Sequence, residues 1–309
     1  MLTQKDHLPL WQLSLLLIIG SILLSQTSCK ELVQDEFPEF SPVPTVNSFI
    51  IADSIIKLHI YLAEKLDSIQ LSTVDDAEIG LFVNGEFEEF LNPKGDGWYH
   101  SASSVKAGSV YNCKVNIEGY EELSCTDSIP LPDSILSIEH ILNAGKDEEG
   151  LSYPALKVSF SNVSNKSRYY QLIINLSKYD TWRSAYLMDI VDPVLLSEGL
   201  PLIVFSNEKI ETDSYTMTIN YSTGSYGSTN REPTRMHLYP FVIELRSISY
   251  DYYLYLRQLY LYEKGRFPEF GAGTSGVFPL HSNIENGHGI FAGYSKTLSE
   301  IINPEDDSQ

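Results

Sequence analysis

Short apolar runs broken by turn residues set the main limit on what this chain can build. Ile55 to Leu62 (I-I-K-L-H-I-Y-L) and Ala77 to Val83 (A-E-I-G-L-F-V) have the length and composition of strands. Asn84-Gly85 behind the second is a hairpin turn, because both residues tolerate positive φ. Turns at Gly95-Asp96-Gly97 and Glu118-Gly119 punctuate runs at Trp98-Tyr99, Val110 to Ile117 and Tyr120 to Cys125. Nothing before Pro130 calls for an amphipathic helix, so residues 42–132 are expected to form a small β-sandwich module.

Ile129-Pro130-Leu131-Pro132 reads as a stiff boundary, since each proline fixes its own φ and restricts the residue before it. Beyond it, over 133–303, further strands are expected at Leu136 to Leu142, Leu156 to Phe160, Tyr169 to Leu176, Leu202 to Phe205, Tyr215 to Tyr221 and Met236 to Leu245. Tyr215, Met217, Ile219 and Tyr221 alternate with polar residues, as a half-buried strand should. Ser249 to Gly265 departs from this pattern: Ser249 suits an N-cap, Asp251 the first turn and Gly265 a left-handed stop. One helix near 250–264 is therefore expected, with Tyr252, Tyr255, Leu256, Leu259 and Tyr262 on one face. The expected fold class is all-β in the main, as two sandwich-like modules, the second with one packed α-helix. Residues 304–309 read as a disordered tail.

Charge narrows function more than fold. The 309 residues carry 21 Lys plus Arg against 41 Asp plus Glu, a net charge of −20. Nucleic acid is thereby excluded as a partner, because phosphate binding rests on clustered cations. The N-terminus reads as an address. Leu8 to Leu24 holds no charged side chain, and Ser25, Gln26, Thr27 and Ser28 lead into Cys29. That arrangement resembles a bacterial lipoprotein signal peptide over 1–28, with cleavage before Cys29 and lipid on its sulfur. Gln26, where such boxes carry Leu, and Asp6 in the n-region depart from the pattern. The competing reading is a signal anchor with an incidental cysteine. Residues 29–41 read as an acidic tether, and its Lys30-Glu31 start resembles the surface-export signals of Bacteroidota lipoproteins.

With Cys29 lipidated, Cys113 and Cys125 remain. A hairpin centred on Gly119 sets them opposite each other, and an exported chain meets the redox condition, so a structural Cys113–Cys125 disulfide is expected. The alternative is two buried thiols. No catalytic motif is present: Gly271 to Gly276 fits the dinucleotide fingerprint but lacks a βαβ setting, and there is no G-x-S-x-G elbow, H-E-x-x-H, P-loop or EF-hand. His281, Glu285 and His288 lie close in sequence without a further ligand, so neither a metal nor another cofactor is assigned. The acids Asp75, Asp76, Glu78, Glu86, Glu88 and Glu89 read as solvated faces, and the twenty tyrosines as packing ahead of a stacking platform. Asp-Ser-Ile recurs at Ser54, Ser68, Ser128 and Ser134 and resembles the O-glycosylation acceptor of Bacteroidota envelope proteins; chance recurrence is the alternative.

Several segments together resemble the Bacteroidota lipoprotein family catalogued as domain of unknown function 4249. They are Asp76-Ala77-Glu78-Ile79 with Asn84-Gly85, Ala107 to Tyr111, Ile129-Pro130, Asp192-Pro193, Phe205-Ser206-Asn207-Glu208, Glu244 to Ile248 running into Tyr252 to Leu256, and Ser282 to Tyr294. Asn207 stands where Asp is expected. The resemblance implies a prealbumin-like (Ig-like) first module and an outer-membrane lipoprotein beside a TonB-dependent receptor, with no catalytic residues to carry over. The expected function is accordingly a non-catalytic accessory or ligand-binding lipoprotein of the cell envelope, held to the membrane through Cys29, its ligand unassigned. The alternatives are an adhesin or fimbrial-type component and a glycan-active enzyme on a sandwich scaffold. The segment with Asn283, Glu285, Asn286, Gly287, His288, Gly289, Phe291, Gly293 and Tyr294 is the candidate functional loop, because its glycines permit conformations a plain connection does not need. The competing reading is a turned segment that seals the second sheet.

Overall fold

The computed structural model describes residues 41–63, 72–178, 181–227, 235–265 and 279–304. The expected signal peptide, Cys29, the expected tether up to residue 40, Ser68, the 271–276 glycine run and the last five residues lie outside these. The first nine strands are β1 (Val43–Ile51), β2 (Ile55–Ala63), β3 (Ser72–Thr73), β4 (Glu78–Val83), β5 (Glu86–Phe90), β6 (Asn92–Gly95), β7 (Trp98–Ser104), β8 (Val110–Asn116) and β9 (Leu123–Ser128). Then follow β10 (Ile135–Lys146), β11 (Ser152–Ser161), β12 (Tyr169–Lys178), β13 (Thr181–Ser184), β14 (Tyr186–Leu187), helix α1 (Pro193–Glu198), β15 (Val204–Ser206) and β16 (Ser214–Ser222). The chain closes with β17 (Tyr226–Gly227), β18 (Arg235–Met236), β19 (Phe241–Ile248), helix α2 (Tyr250–Gly265), β20 (Ile284–Glu285) and β21 (His288–Leu298). The fold is mainly β and sandwich-like, and no helix among the described residues is long and apolar enough to cross a membrane.

One large sheet runs through the molecule in the order β13-β12-β19-β21-β1-β2-β7-β6, with β15 beside β12 and β3 beside β2. Its centre is a join between distant parts of the chain. Thr45 to Ile51 of β1 pair in parallel with His288 to Tyr294 of β21, which pairs on its other side with β19. A five-stranded sheet, β20-β9-β8-β4-β5, covers one half, and a four-stranded sheet, β10-β11-β16-β14, the other. The expected boundary near 132 therefore divides neither the large sheet, which strands from both sides build, nor the five-stranded sheet, whose edge strand β20 comes from residues 284–285; the four-stranded sheet lies wholly beyond it.

Side-chain parity shows how the layers stack. Along β21, Phe291 enters the core with Val46, Ile50, Leu58, Leu81 and Val115, whereas Ile290, Ala292 and Tyr294 meet Ile248 and Tyr252. Successive strand residues face opposite ways, so α2 lies on the face opposite the five-stranded sheet. Along β19, Phe241, Ile243 and Leu245 enter the second core with Tyr170, Leu156, Val158 and Met217, while Ile248 turns to α2. Both small sheets thus cover one face of the large sheet, and the helix covers the other. Fully burying a side chain such as Phe291, at 0% exposure, contributes about 1.5–3 kcal/mol.

The close approach of backbones at the join fixes three glycines. Gly289 has φ 113°, and a Cβ there would enter the Val46 backbone. At Gly293 a Cβ would meet the Ser128 carbonyl, and at Gly287 the Leu123 side chain and the Pro44 carbonyl.

Two buried carboxylates bolt the layers together. Asp133, just past the double proline, accepts from Arg168 Nε at 3.1 Å, the Tyr170 hydroxyl at 3.1 Å and the Ser247 hydroxyl at 3.3 Å. Asp127 in β9 accepts the Gly293 N–H at 2.7 Å, the Ser128 N–H at 2.7 Å and the hydroxyl of Ser249. Ser249 in turn accepts the Tyr252 N–H at 3.2 Å, the expected N-cap of α2. Burial pushes the Asp127 carboxyl up to about 6, against the hydrogen bonds that pull it down.

Because this folded-state value exceeds the ordinary Asp value near 3.9, the folded chain holds more protons than the unfolded one between those limits. The contribution of this group is fully present below about pH 4 and is lost as pH rises through about 6. Chemical unfolding from pH 4 to 7 is expected to show wild-type stability falling relative to Asp127→Asn by on the order of 3 kcal/mol. A pH-independent difference would refute the assignment.

Candidate ligand-binding site

The first-named loop candidate is built for sealing. Asn283 donates to the Phe291 carbonyl at 2.8 Å and accepts its N–H at 2.9 Å, clamping β20 to β21. Asn286, at φ 58°, donates to the Glu122 carbonyl at 2.9 Å. Gly287, Gly289 and Gly293 serve backbone approach, Phe291 is core, and the Tyr294 ring lies under the Arg246 guanidinium at 4.7 Å. His281 sits 2.7 Å from Asp251, Glu285 is exposed in β20, and His288 opens β21. Among the described residues, no three metal-ligating side chains converge.

Cys113 and Cys125 stand directly opposite in the ladder, as the hairpin arithmetic requires. The disulfide expected from that register is corrected: both are free, buried thiols, and Cys125 Sγ donates to the Cys113 carbonyl at 3.7 Å. Its hydrogen bond with Cys125, together with burial, pushes the Cys113 thiol well up. That suppresses the thiolate through which a disulfide forms.

Ser54, Ser128 and Ser134 are exposed. The aspartates before them are already engaged: Asp53 pairs with Lys106 at 2.7 Å, and Asp127 and Asp133 are the buried bolts. Of the acidic groups, Asp75 accepts the Gly97 N–H at 2.6 Å, and Glu89 accepts those of Ala102 and Ser103 at 2.9 Å each. Glu86 and Glu88 are exposed.

The structure instead places a cavity of about 660 Å³ where the 164–168 loop, the 206–211 loop and the start of α2 meet. Its floor is held by two buried amides. Asn207 donates to Asn162 Oδ1 at 2.9 Å, the Lys166 carbonyl at 2.9 Å and the Val163 carbonyl at 3.2 Å, while its own oxygen accepts the Arg168 N–H at 2.9 Å. Asn162 donates to the Thr212 carbonyl at 2.8 Å. Each loop is therefore fixed to the other before any ligand arrives.

The wall is aromatic. Tyr169 of β12 packs on Tyr250 and Tyr253 of α2 with ring centroids 5.1 and 4.9 Å apart, and the latter two planes lie within 21° of each other. Glu198, at the end of α1, fixes this wall. It accepts from the Tyr253 hydroxyl at 2.6 Å, Arg257 Nη1 at 2.7 Å and the Ser206 N–H at 2.7 Å. Burial, followed by Glu198, pushes the Tyr253 phenol well up, so it stays a donor. Helix α1 is placed in its turn by Asp192, the N-cap, which accepts from Val194 and Thr218 N–H groups at 3.0 Å each. Tyr215 bonds the same carboxylate at 3.1 Å, and burial with Asp192 pushes its phenol up to about 12.

Periodicity did not single out this cavity. Its tyrosines look like packing on a helical wheel, and apart from Ile210 its loops carry polar residues between strands. The available signal was the Phe205-Ser206-Asn207-Glu208 segment, where Asn207 replaces an expected Asp. The amide nitrogen is what this position uses, since a carboxylate would face three oxygens. Asn207→Asp is expected to lower unfolding free energy by about 3 kcal/mol through lost donors and a buried charge. Unchanged denaturant midpoint and slope would show that the floor is not held this way.

Comparison with known proteins adds one positive finding: a family model described as domain of unknown function (DUF4249) matches residues 30–300, which take in both cores and the cavity. No protein with a curated description matches the sequence.

Proposed function

The chain belongs to the DUF4249 family, and from that premise we propose that it is a non-catalytic, lipid-anchored binding component of the outer membrane, working beside a TonB-dependent transporter. The observation that carries this reading is the cavity itself, whose loops and aromatic wall are fixed by buried amides and by Glu198. Preorganisation of that kind lowers the cost of ordering a site on binding.

Its lining supports binding ahead of chemistry. Among the described residues no histidine or cysteine lines it, and Glu198, the carboxylate that Ser206 meets, is already committed to the Ser206 N–H, the Tyr253 hydroxyl and Arg257, a structural role ahead of a catalytic one. The uncharged run ahead of Cys29 supports an anchor, and the acidic residues after it a solvated tether.

The test is recovery of C-terminally tagged protein from native envelopes in mild detergent. A TonB-dependent receptor in stoichiometric amount is the expected companion. Recovery of the protein alone, with the membrane fraction intact, would remove the accessory role.

A further inference from the structure

We infer that the cavity bounded by Tyr169, Tyr250 and Tyr253 is a saccharide site that takes uncharged sugar rings. This rests on the binding reading above and names its ligand class.

Three observations converge. First, Tyr250 and Tyr253, one helical turn apart, present rings within 21° of parallel with centroids 6.3 Å apart. Tyr253 is locked through its hydroxyl to Glu198 and covered by Arg257, whose guanidinium lies 5.1 Å from the ring centroid. Tyr250 is 53% exposed, so an aromatic surface is left bare on a helix whose remaining tyrosines are at least partly buried. Such surfaces favour ligands with a flat C–H face, and in sugars that face is bordered by hydroxyl groups.

Second, the facing loops supply groups that pair with hydroxyls. Ser167, Asn165 and the exposed carboxylates Glu208 and Glu211 line the cavity together with the rings. An entirely apolar ligand would leave these desolvated and unpaired.

Third, charge excludes the anionic class. The Arg168 guanidinium is spent on Asp133, leaving Lys166 against two carboxylates in a chain of net charge −20. An anionic ligand would meet repulsion. A cationic ligand would be held by Glu208 and Glu211 in place of the ring faces, and the oligolysine arm of the test separates that case.

The test presents detergent-solubilised full-length protein to an array of neutral oligosaccharides, with acidic oligosaccharides and oligolysine as counter-probes. Retention on at least one neutral class is expected. Tyr250→Ala should weaken it about tenfold. Because Tyr250 is exposed, an unchanged melting temperature will separate loss of the site from loss of the fold. Binding to no neutral oligosaccharide would overturn the inference, as would binding only to acidic probes, or to oligolysine with loss in Glu208→Gln. Co-purification of a transporter without sugar binding would sink this inference and leave the accessory role standing. Sugar binding without a transporter would do the reverse.

Discussion

Everything in this molecule depends on the parallel pairing of β1 with β21. It brings residue 45 against residue 288 and turns what reads as two modules into one sheet. Parallel neighbours this far apart in sequence carry a large loop-closure cost, which burial around the join offsets. Val46 and Ile50 on one strand and Phe291 on the other enter one core, while Ile290, Ala292 and Tyr294 support the helix on the opposite face. The glycines of β21 follow from this constraint. Where β1 and β9 press close, a side chain has no room.

Buried polar groups then carry the placement outward to the cavity. Asp127 links β9 to Gly293 and to the cap of α2, and so sets where that helix begins. Tyr250 and Tyr253 sit in its first turn. Asp133 holds Arg168 and Tyr170 at the start of β12, beside Tyr169. Each of these carboxylates is compensated by several donors, the condition under which burying charge is tolerable. The cavity is therefore an outcome of the join, two hydrogen-bonded steps away.

Legibility in the sequence followed how local each determinant was. The Asn84-Gly85 turn, the alternation of Tyr215 to Tyr221 and the Ser249 cap act over a few residues, and all appear where expected. β1 went unread because Pro44 looks like the end of a tether, yet at the beginning of a strand its missing N–H is tolerated. The 283–294 segment was read as a functional surface because glycines and asparagines mark both binding loops and tight joints. Only the partner strands, far away in sequence, distinguish the two. The cysteines show the same limit: hairpin symmetry gave their register, whereas the state of the sulfurs depends on burial and on a backbone acceptor. The cavity was the least legible, since it exists only once α1, α2 and two loops have been brought together.

Native-state hydrogen exchange tests the central claim most directly. If β1 and β21 hold one continuous sheet, their amides should exchange only through global unfolding, with protection equal to that of β8 and β12 in the two cores and with one denaturant dependence for all four. Two separate unfolding classes divided near residue 132, with β21 exchanging ahead of either core, would contradict it.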